Sequence, residues 1–97
     1  MTNSQSTTFA LYHYDSCPYC SKARRIIDKL GVEVELRNIK LNLQHRIELH
    51  QGGRKTQVPC LRIEHITGES QWLYESDDII NYLTRYQSEL FRLTRMA

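Results

Sequence analysis

Two cysteines separated by two residues, Cys17 and Cys20, constrain this chain more than any other feature. Residues 8–14, just before them, are rich in aromatic and aliphatic side chains, the composition of a buried strand. From Pro18 onward the apolar residues recur at helical spacing, and proline is favoured in the first turn of a helix. The pair is therefore predicted at a strand-to-helix junction, which is typical of a dithiol redox motif. Its spacing alone is also compatible with half a zinc site.

The size, charge and hydrophobicity of the chain limit the class of protein in which the two cysteines act. With 97 residues, 40% of them hydrophobic, we predict one compact domain at residues 8–97 after a disordered polar leader at residues 1–7. The 13 basic and 11 acidic residues are interspersed, so we expect no nucleic-acid partner. There is neither a secretory signal nor an apolar run of the roughly 20 residues that a membrane span needs, so we expect a cytoplasmic protein without a membrane partner.

Hydrophobic periodicity predicts the remaining elements. The second helix is expected to bury Leu43, Ile47 and His50, and Ser76 is a natural N-cap for the third helix. The predicted elements are a strand at 8–14, a helix from 18 to a stop at 31, a strand at 32–39, a helix at 43–51, strands at 60–64 and 71–74, a helix from 77 and a last short helix at 88–97. A parallel first half joined to an antiparallel hairpin predicts an α/β fold of the thioredoxin kind, a four-stranded mixed sheet flanked by helices on both faces.

Disulfide exchange requires a thiolate, and the start of the first helix is where this chain can supply one. An ordinary thiol, with a pKa of about 8.5, is mostly protonated at neutral pH. Cys17 would face unpaired backbone N–H groups and the positive end of the helix dipole, which favour a thiolate. Cys20 lies one turn further in, so we predict that it is the resolving thiol.

Two further segments are candidates for holding a ligand beside the dithiol. The Val58–Pro59 step is either an ordinary edge proline or a cis peptide that leaves the Val58 backbone free for a ligand. Residues 75–78 are either a plain capped helix start or a site that binds a carboxylate through backbone N–H groups and an ammonium group through Glu75 or Asp77.

Taken together and in order, these three segments resemble glutaredoxins. The likeness rests on Cys-Pro-Tyr-Cys at residues 17–20, on Val58–Pro59 and on the acidic helix start at residues 75–78, and it spans about residues 8–87. It is closer still to glutaredoxins akin to the N-terminal domain of glutathione transferases. Those relatives carry an additional helical domain, whereas this chain resembles a single-domain version.

The resemblance implies a glutathione-dependent thiol-disulfide oxidoreductase with Cys17 as nucleophile and Cys20 as resolving thiol. Its partners would be glutathione, as co-substrate, and protein disulfides or glutathionylated proteins, and it would act as a monomer without a metal. The implied glutathione-binding residues are Tyr19, Arg54, Lys55, Gln57, Val58, Pro59, Glu75, Ser76 and Asp77. Many glutaredoxins have Lys or Arg three residues before the first cysteine, where this chain has Tyr14. The charge of the thiolate would then depend on the helix end, or on Lys22 and Arg54 if they reach it.

Other functions remain open at this point. An iron-sulfur carrier would hold a cluster through Cys17 and glutathione from two protomers, although Pro18 argues against it. A binding module would use the dithiol for zinc or as a redox switch, and a glutathione transferase would ordinarily need the additional helical domain. Cys60 is expected to be a small core residue, and His13 is expected to pack rather than to bind a ligand.

Overall fold

The computed structural model describes residues 7–96, so residues 1–6 of the predicted leader lie outside the described residues. Within the described range the chain forms four strands and three helices. The elements are β1 (Thr8–His13), α1 (Pro18–Leu30), β2 (Glu35–Asn38), α2 (Leu43–Gly53), β3 (Cys60–Glu64), β4 (Ser70–Tyr74) and α3 (Ser76–Met96).

The strands form one mixed sheet in the order β2-β1-β3-β4. β1 and β2 run parallel, with Ala10 beside Glu35, whereas β1 with β3 and β3 with β4 are antiparallel. α1 and α3 cover one face of the sheet and α2 lies on the other. The predicted thioredoxin-like α/β fold is therefore confirmed.

The central strand β1 divides the core in two because successive side chains of a strand point to opposite faces. Phe9 and Leu11 pack toward α1 and α3, while Ala10 and Tyr12 pack toward Leu49 of α2. Burying one large apolar side chain stabilises a fold by roughly 1.5–3 kcal/mol. β1 is buried on both faces, so the point where it ends, just before the two cysteines, is firmly positioned.

The stop predicted for the first helix is confirmed at Gly31. This residue adopts the left-handed conformation, with φ 74°, and its backbone N–H donates to the carbonyl of Ile27. A residue without a Cβ occupies that conformation at little cost, which is why glycine commonly follows a helix end.

Two predictions about the middle of the chain are corrected. β2 covers only Glu35–Asn38 rather than residues 32–39, and its apolar residue Leu36 is 49% exposed. β2 is an edge strand, so only its inner side is paired. The prediction for the buried face of α2 was also wrong. Leu43 is 70% exposed, whereas Leu49 is fully buried. α2 contacts β1 and β2, and its last residues lie beside β4.

The end of the chain differs from prediction at both ends of its last helix. α3 is continuous from Ser76 to Met96, so the separate short helix predicted at residues 88–97 does not form. No glycine or proline interrupts this stretch, and nothing else in the sequence stops a helix there. α3 also begins at Ser76 itself, so the cap position is Glu75, whose carbonyl accepts the Ile79 N–H at 3.0 Å. Among residues 7–96, no helix is both long and apolar enough to cross a membrane.

Candidate active site

The start of α1 is built around the sulfur of Cys17. Cys17 is the N-cap, with φ −83° and ψ 117°, and its Sγ accepts the backbone N–H of Cys20 at 3.3 Å. Pro18 follows in the first turn, and that turn contains no acidic side chain. The positive end of the helix dipole is therefore not balanced by a neighbouring carboxylate, which favours negative charge on the capping sulfur.

All three cysteines are buried, with Cys17 6% exposed. Cys20 and Cys60 are completely buried, and all three cysteines are free thiols. Burial, together with the hydrogen bond to Cys17, raises the pKa of Cys20 to about 12. Burial also raises the pKa of Cys60 to about 12. Cys60 lies in the core on the α2 side of the sheet, as expected of a small apolar residue.

The segment before β3 contains a cis peptide bond between Val58 and Pro59, one of the two conformations that the sequence left open. Pro59 is buried and Val58 is partly exposed. The preceding loop is tied to β4, because the Tyr74 hydroxyl donates to the carbonyl of Lys55 at 3.1 Å.

The start of α3 brings a third set of polar groups to the same place. Glu75 has a positive φ of 76°, an uncommon conformation for a residue other than glycine. The side-chain amide of Gln57 donates to the Glu75 carboxylate at 3.3 Å. Ser76 is buried beside it, and Asp77 and Asp78 form the first turn of α3. The segment before the cis proline and the start of α3 are thus directly linked.

These elements enclose a cleft of about 640 Å³, within the size range of small-molecule sites. One wall comes from the first turns of α1 and the other from the start of α3, and the Val58–Pro59 segment lies between them. The lining residues are Tyr19, Lys22, Gln57, Val58, Pro59, Glu75, Ser76, Asp77 and Asp78. Lys22 Nζ lies 2.7 Å from Asp77 Oδ1, so an ion pair joins the two walls.

Not every residue that the resemblance implied lies in this cleft. Arg54 is the exposed C-cap of α2, and Lys55 Nζ lies 4.5 Å from the centroid of the Tyr74 ring. Neither residue lines the cleft. Lys22, considered from the sequence as a partner for the thiolate, is instead paired with Asp77.

One charged residue close to the dithiol was missed by sequence reasoning. Arg24 Nη1 lies 3.0 Å from His13 Nδ1 and 3.4 Å from the backbone carbonyl of Tyr14. Arg24 follows Cys20 by one helical turn, and that spacing was the available signal. His13, expected only to pack, is therefore a hydrogen-bonding partner of Arg24. Over the described residues, no three His, Cys, Asp or Glu side chains come together as a possible metal site.

Comparisons with known proteins agree with this geometry. A protein-family model described as "Glutathione S-transferase, N-terminal domain" matches residues 11–89. Glutaredoxin 1 of Rickettsia prowazekii (strain Madrid E) is 33% identical over 86 residues, covering 84% of this chain and 82% of that protein.

Two other relatives are considerably longer than this chain. Glutaredoxin 2 of Escherichia coli (strain K12) is 39% identical over 75 residues, 77% of this chain, and the chain spans about a third, 32%, of its length. A crystal structure of maleylacetoacetate isomerase from Anaeromyxobacter dehalogenans 2CP-1, with bound GSH in the active site, has a TM-score of 0.67 and 28% identity. That match covers 88% of this chain and 40% of the isomerase chain.

Proposed function

The chain belongs to the glutaredoxin family, and from this premise we propose that it is a glutathione-dependent thiol-disulfide oxidoreductase that acts through Cys17 and Cys20. The observation that carries the proposal is the position of Cys17, which caps α1 where that helix forms one wall of a polar cleft. Its substrates would be protein disulfides and glutathione mixed disulfides. The E. coli and A. dehalogenans relatives support a glutathione-related activity for the domain that they share with this chain.

Cys17 begins the reaction as the nucleophile. Its thiolate attacks one sulfur of the substrate disulfide, a new bond forms between Cys17 and that sulfur, and the other sulfur leaves as a thiolate that takes a proton from solvent. In the next step either Cys20 or a glutathione thiolate attacks the mixed disulfide. Attack by Cys20 yields a Cys17–Cys20 disulfide, which two glutathione molecules reduce as they become glutathione disulfide.

The cleft carries groups that fit the γ-glutamyl end of glutathione, which has one ammonium and one carboxylate. Glu75 and Asp77 offer carboxylates to the ammonium of the γ-glutamyl end, and the first N–H groups of α3 suit its carboxylate. The backbone of Val58 would pair with the cysteinyl unit, and Tyr19, 64% exposed, would flank the sulfur. These roles of the cleft residues are part of the proposal.

A turnover assay with a small glutathione mixed disulfide tests the function. The wild-type chain is expected to reduce it in the presence of glutathione, with Cys17→Ser lowering kcat/KM by at least about 10³-fold because a hydroxyl is a poor nucleophile at neutral pH. Cys20→Ser should retain this activity while losing the reduction of protein disulfides that depends on the second thiol. Cys60→Ala is the matched control, a third buried cysteine that is not part of the dithiol, and should retain both activities.

Activity of Cys17→Ser equal to that of the wild type would overturn the assignment of the nucleophile. A wild-type chain that turns over equally fast with 2-mercaptoethanol as the reducing thiol in place of glutathione would instead overturn the dependence on glutathione.

A further inference from the structure

Arg24 is held in one position by two neutral acceptors at the end of β1. Its guanidinium donates to Nδ1 of His13 at 3.0 Å and to the carbonyl of Tyr14 at 3.4 Å. An arginine side chain only donates, so Nδ1 of His13 must be the acceptor and this ring nitrogen carries no proton. Burial, followed by the nearby Arg24 charge, lowers the pKa of His13, which keeps the ring neutral.

Cys20 lies beside this guanidinium. The two residues are one helical turn apart on α1, the spacing at which side chains on a helix become neighbours. The Tyr14 carbonyl, which accepts from Arg24, lies at the start of the segment that leads to the dithiol. The backbone N–H of Cys17 donates to that carbonyl too, at 3.3 Å. The Tyr14 peptide thus connects the dithiol with one fixed positive charge.

This charge acts on the second thiol. Cys20 is completely buried, and burial disfavours its thiolate. The Arg24 charge acts in the opposite direction and favours the thiolate. The capping interaction that assists Cys17 is unavailable to Cys20, since Cys20 supplies the N–H of that interaction. Lys22 does not take this role because it is paired with Asp77 across the cleft.

We propose that Arg24, oriented by His13 and the Tyr14 carbonyl, is a positioning residue that stabilises the Cys20 thiolate during the resolving step. This inference rests on the proposed function. In that step Cys20 loses its proton to solvent and its thiolate attacks Cys17 Sγ in the mixed disulfide. The Cys17–Cys20 bond forms, the bond from Cys17 to the substrate sulfur breaks, and the substrate leaves as a thiolate that is then protonated.

A chromogenic aromatic disulfide, 5,5′-dithiobis(2-nitrobenzoate), separates the two steps. Attack by Cys17 releases one coloured thiolate, and attack by Cys20 on the resulting mixed disulfide releases a second. Arg24→Gln should slow the second release at least about fivefold while changing the first less than twofold, because one nearby charge interaction is lost in partly buried surroundings. The profile of the second rate against pH should shift to higher pH, and Arg24→Lys should restore at least half of the lost rate.

Two further variants keep the test specific. Arg25→Gln, which removes an exposed charge next along α1, is the matched control and should leave both releases unchanged. His13→Leu keeps the Arg24 charge but removes one acceptor that orients it, so the second release should slow by less than in Arg24→Gln. Thermal unfolding of each variant shows whether it remains folded.

The outcomes divide clearly. The inference would be overturned if the rate of the second release in Arg24→Gln were within twofold of the wild-type rate. It would also be overturned if Arg25→Gln slowed this release as much as Arg24→Gln does. Failure of the proposed function would instead appear in the turnover assay, as a wild-type chain that does not reduce the glutathione mixed disulfide. In that case alkylation of Cys20 in a Cys17→Ser background, read by peptide mass spectrometry, still tests the role of Arg24. Unchanged alkylation of Cys20 on adding Arg24→Gln would overturn it there as well.

Discussion

The N-termini of α1 and α3 form opposite walls of the same cleft, and they balance the helix dipole in different ways. At α1 the cap is the sulfur of Cys17, and no acidic residue lies in the first turn. At α3 the cap position is Glu75, and the first turn contains Asp77 and Asp78. The positive end of α1 is therefore available to a reacting sulfur. The positive end of α3 is instead surrounded by carboxylate side chains.

The difference indicates that the two helix ends have different roles, one in the reaction and one in recognition. A helix N-terminus favours negative charge whatever group supplies it. At α1 the group is a thiol, and the helix end assists its reaction. At α3 the group is a set of carboxylates, and this helix end can recognise a cation. The following predictions test that difference in roles, beginning with the largest expected effect.

Alkylation should distinguish the sulfur at the α1 end from the other two thiols. At pH 7.5 we expect iodoacetamide to modify Cys17 on the order of 100 times faster than Cys20 or Cys60, because burial raises the pKa of each of these two to about 12. A raised pKa means less thiolate, so their rates should increase about tenfold per pH unit between pH 8 and 11. Peptide mass spectrometry measures each rate.

In urea all three thiols should react at similar rates, which serves as the control. Modification of Cys20 as fast as Cys17 in the folded chain would mean that the α1 end does not select one sulfur.

A carboxylate placed at the α1 end should make it resemble the α3 end. Tyr19→Glu adds a negative charge to the first turn, so we expect the first step of disulfide exchange to slow about five- to tenfold because like charge disfavours the thiolate. The same change should stabilise the fold by about 0.3–1 kcal/mol through the helix dipole. Stopped-flow kinetics and thermal unfolding measure the two opposite effects.

Tyr19→Gln is the control for the loss of the ring from the cleft. If the glutamate and glutamine variants react at the same rate, the dipole of α1 does not govern the reactivity of Cys17.

Removing the cap side chain of α3 should weaken recognition without impairing the nucleophile. Glu75→Ala and Glu75→Gly should each raise the KM for glutathione about fivefold, through loss of one charge-assisted contact. Glu75 has a positive φ of 76°, a conformation that glycine tolerates better than alanine, so the glycine variant should be more stable by about 1 kcal/mol. Steady-state kinetics and unfolding midpoints distinguish the two effects.

The two variants are controls for each other, since they differ in the backbone effect and not in the lost carboxylate. A tenfold fall in the alkylation rate of Cys17 in both would contradict the separation of recognition from reactivity.

The ion pair that joins the two helix ends should have the smallest effect. The side chains of Lys22 and Asp77 are 48% and 76% exposed, so solvent screens the pair and its coupling energy should be about 0–1 kcal/mol. A double-mutant cycle of Asp77→Asn and Lys22→Gln, measured by denaturant unfolding at low and high salt, gives this energy. A coupling well above 1 kcal/mol, or one that persists at high salt, would mean that the pair rather than the core holds the cleft walls together.

Sequence reasoning was most successful where local chemistry decides the structure. The Cys-Pro-Tyr-Cys helix start, the stop at Gly31 and the alternation of residues 60–64 each follow from short-range rules, and the fold follows from their order. It failed where tertiary contacts decide. Leu43 satisfies a helical pattern yet lies in solvent, because the sheet contacts α2 near Leu49 instead.

The residues of the candidate site also fall into those that local sequence predicts and those that depend on tertiary contacts. The cysteines and the residues beside the cis proline are recognisable from short motifs. The pairing of Arg24 with His13 is not, because it depends on how α1 lies over the end of β1. For Arg54 and Lys55, proximity in sequence to Val58 did not bring them into the cleft, since α2 ends in a turn that directs them elsewhere.

The two glycines that end α2 have a consequence for which sequences this fold can accept. A Cβ at Gly52 would overlap the Trp72 ring, and one at Gly53 would overlap the Tyr74 hydroxyl, so β4 occupies the space that any side chain would need. Tyr74 also holds the loop that leads to Val58. Natural variation should therefore be more restricted at these two positions than at exposed loop positions, although neither glycine lines the cleft. A variant with a larger residue there would keep its dithiol intact and lose the geometry of the binding surface beside it.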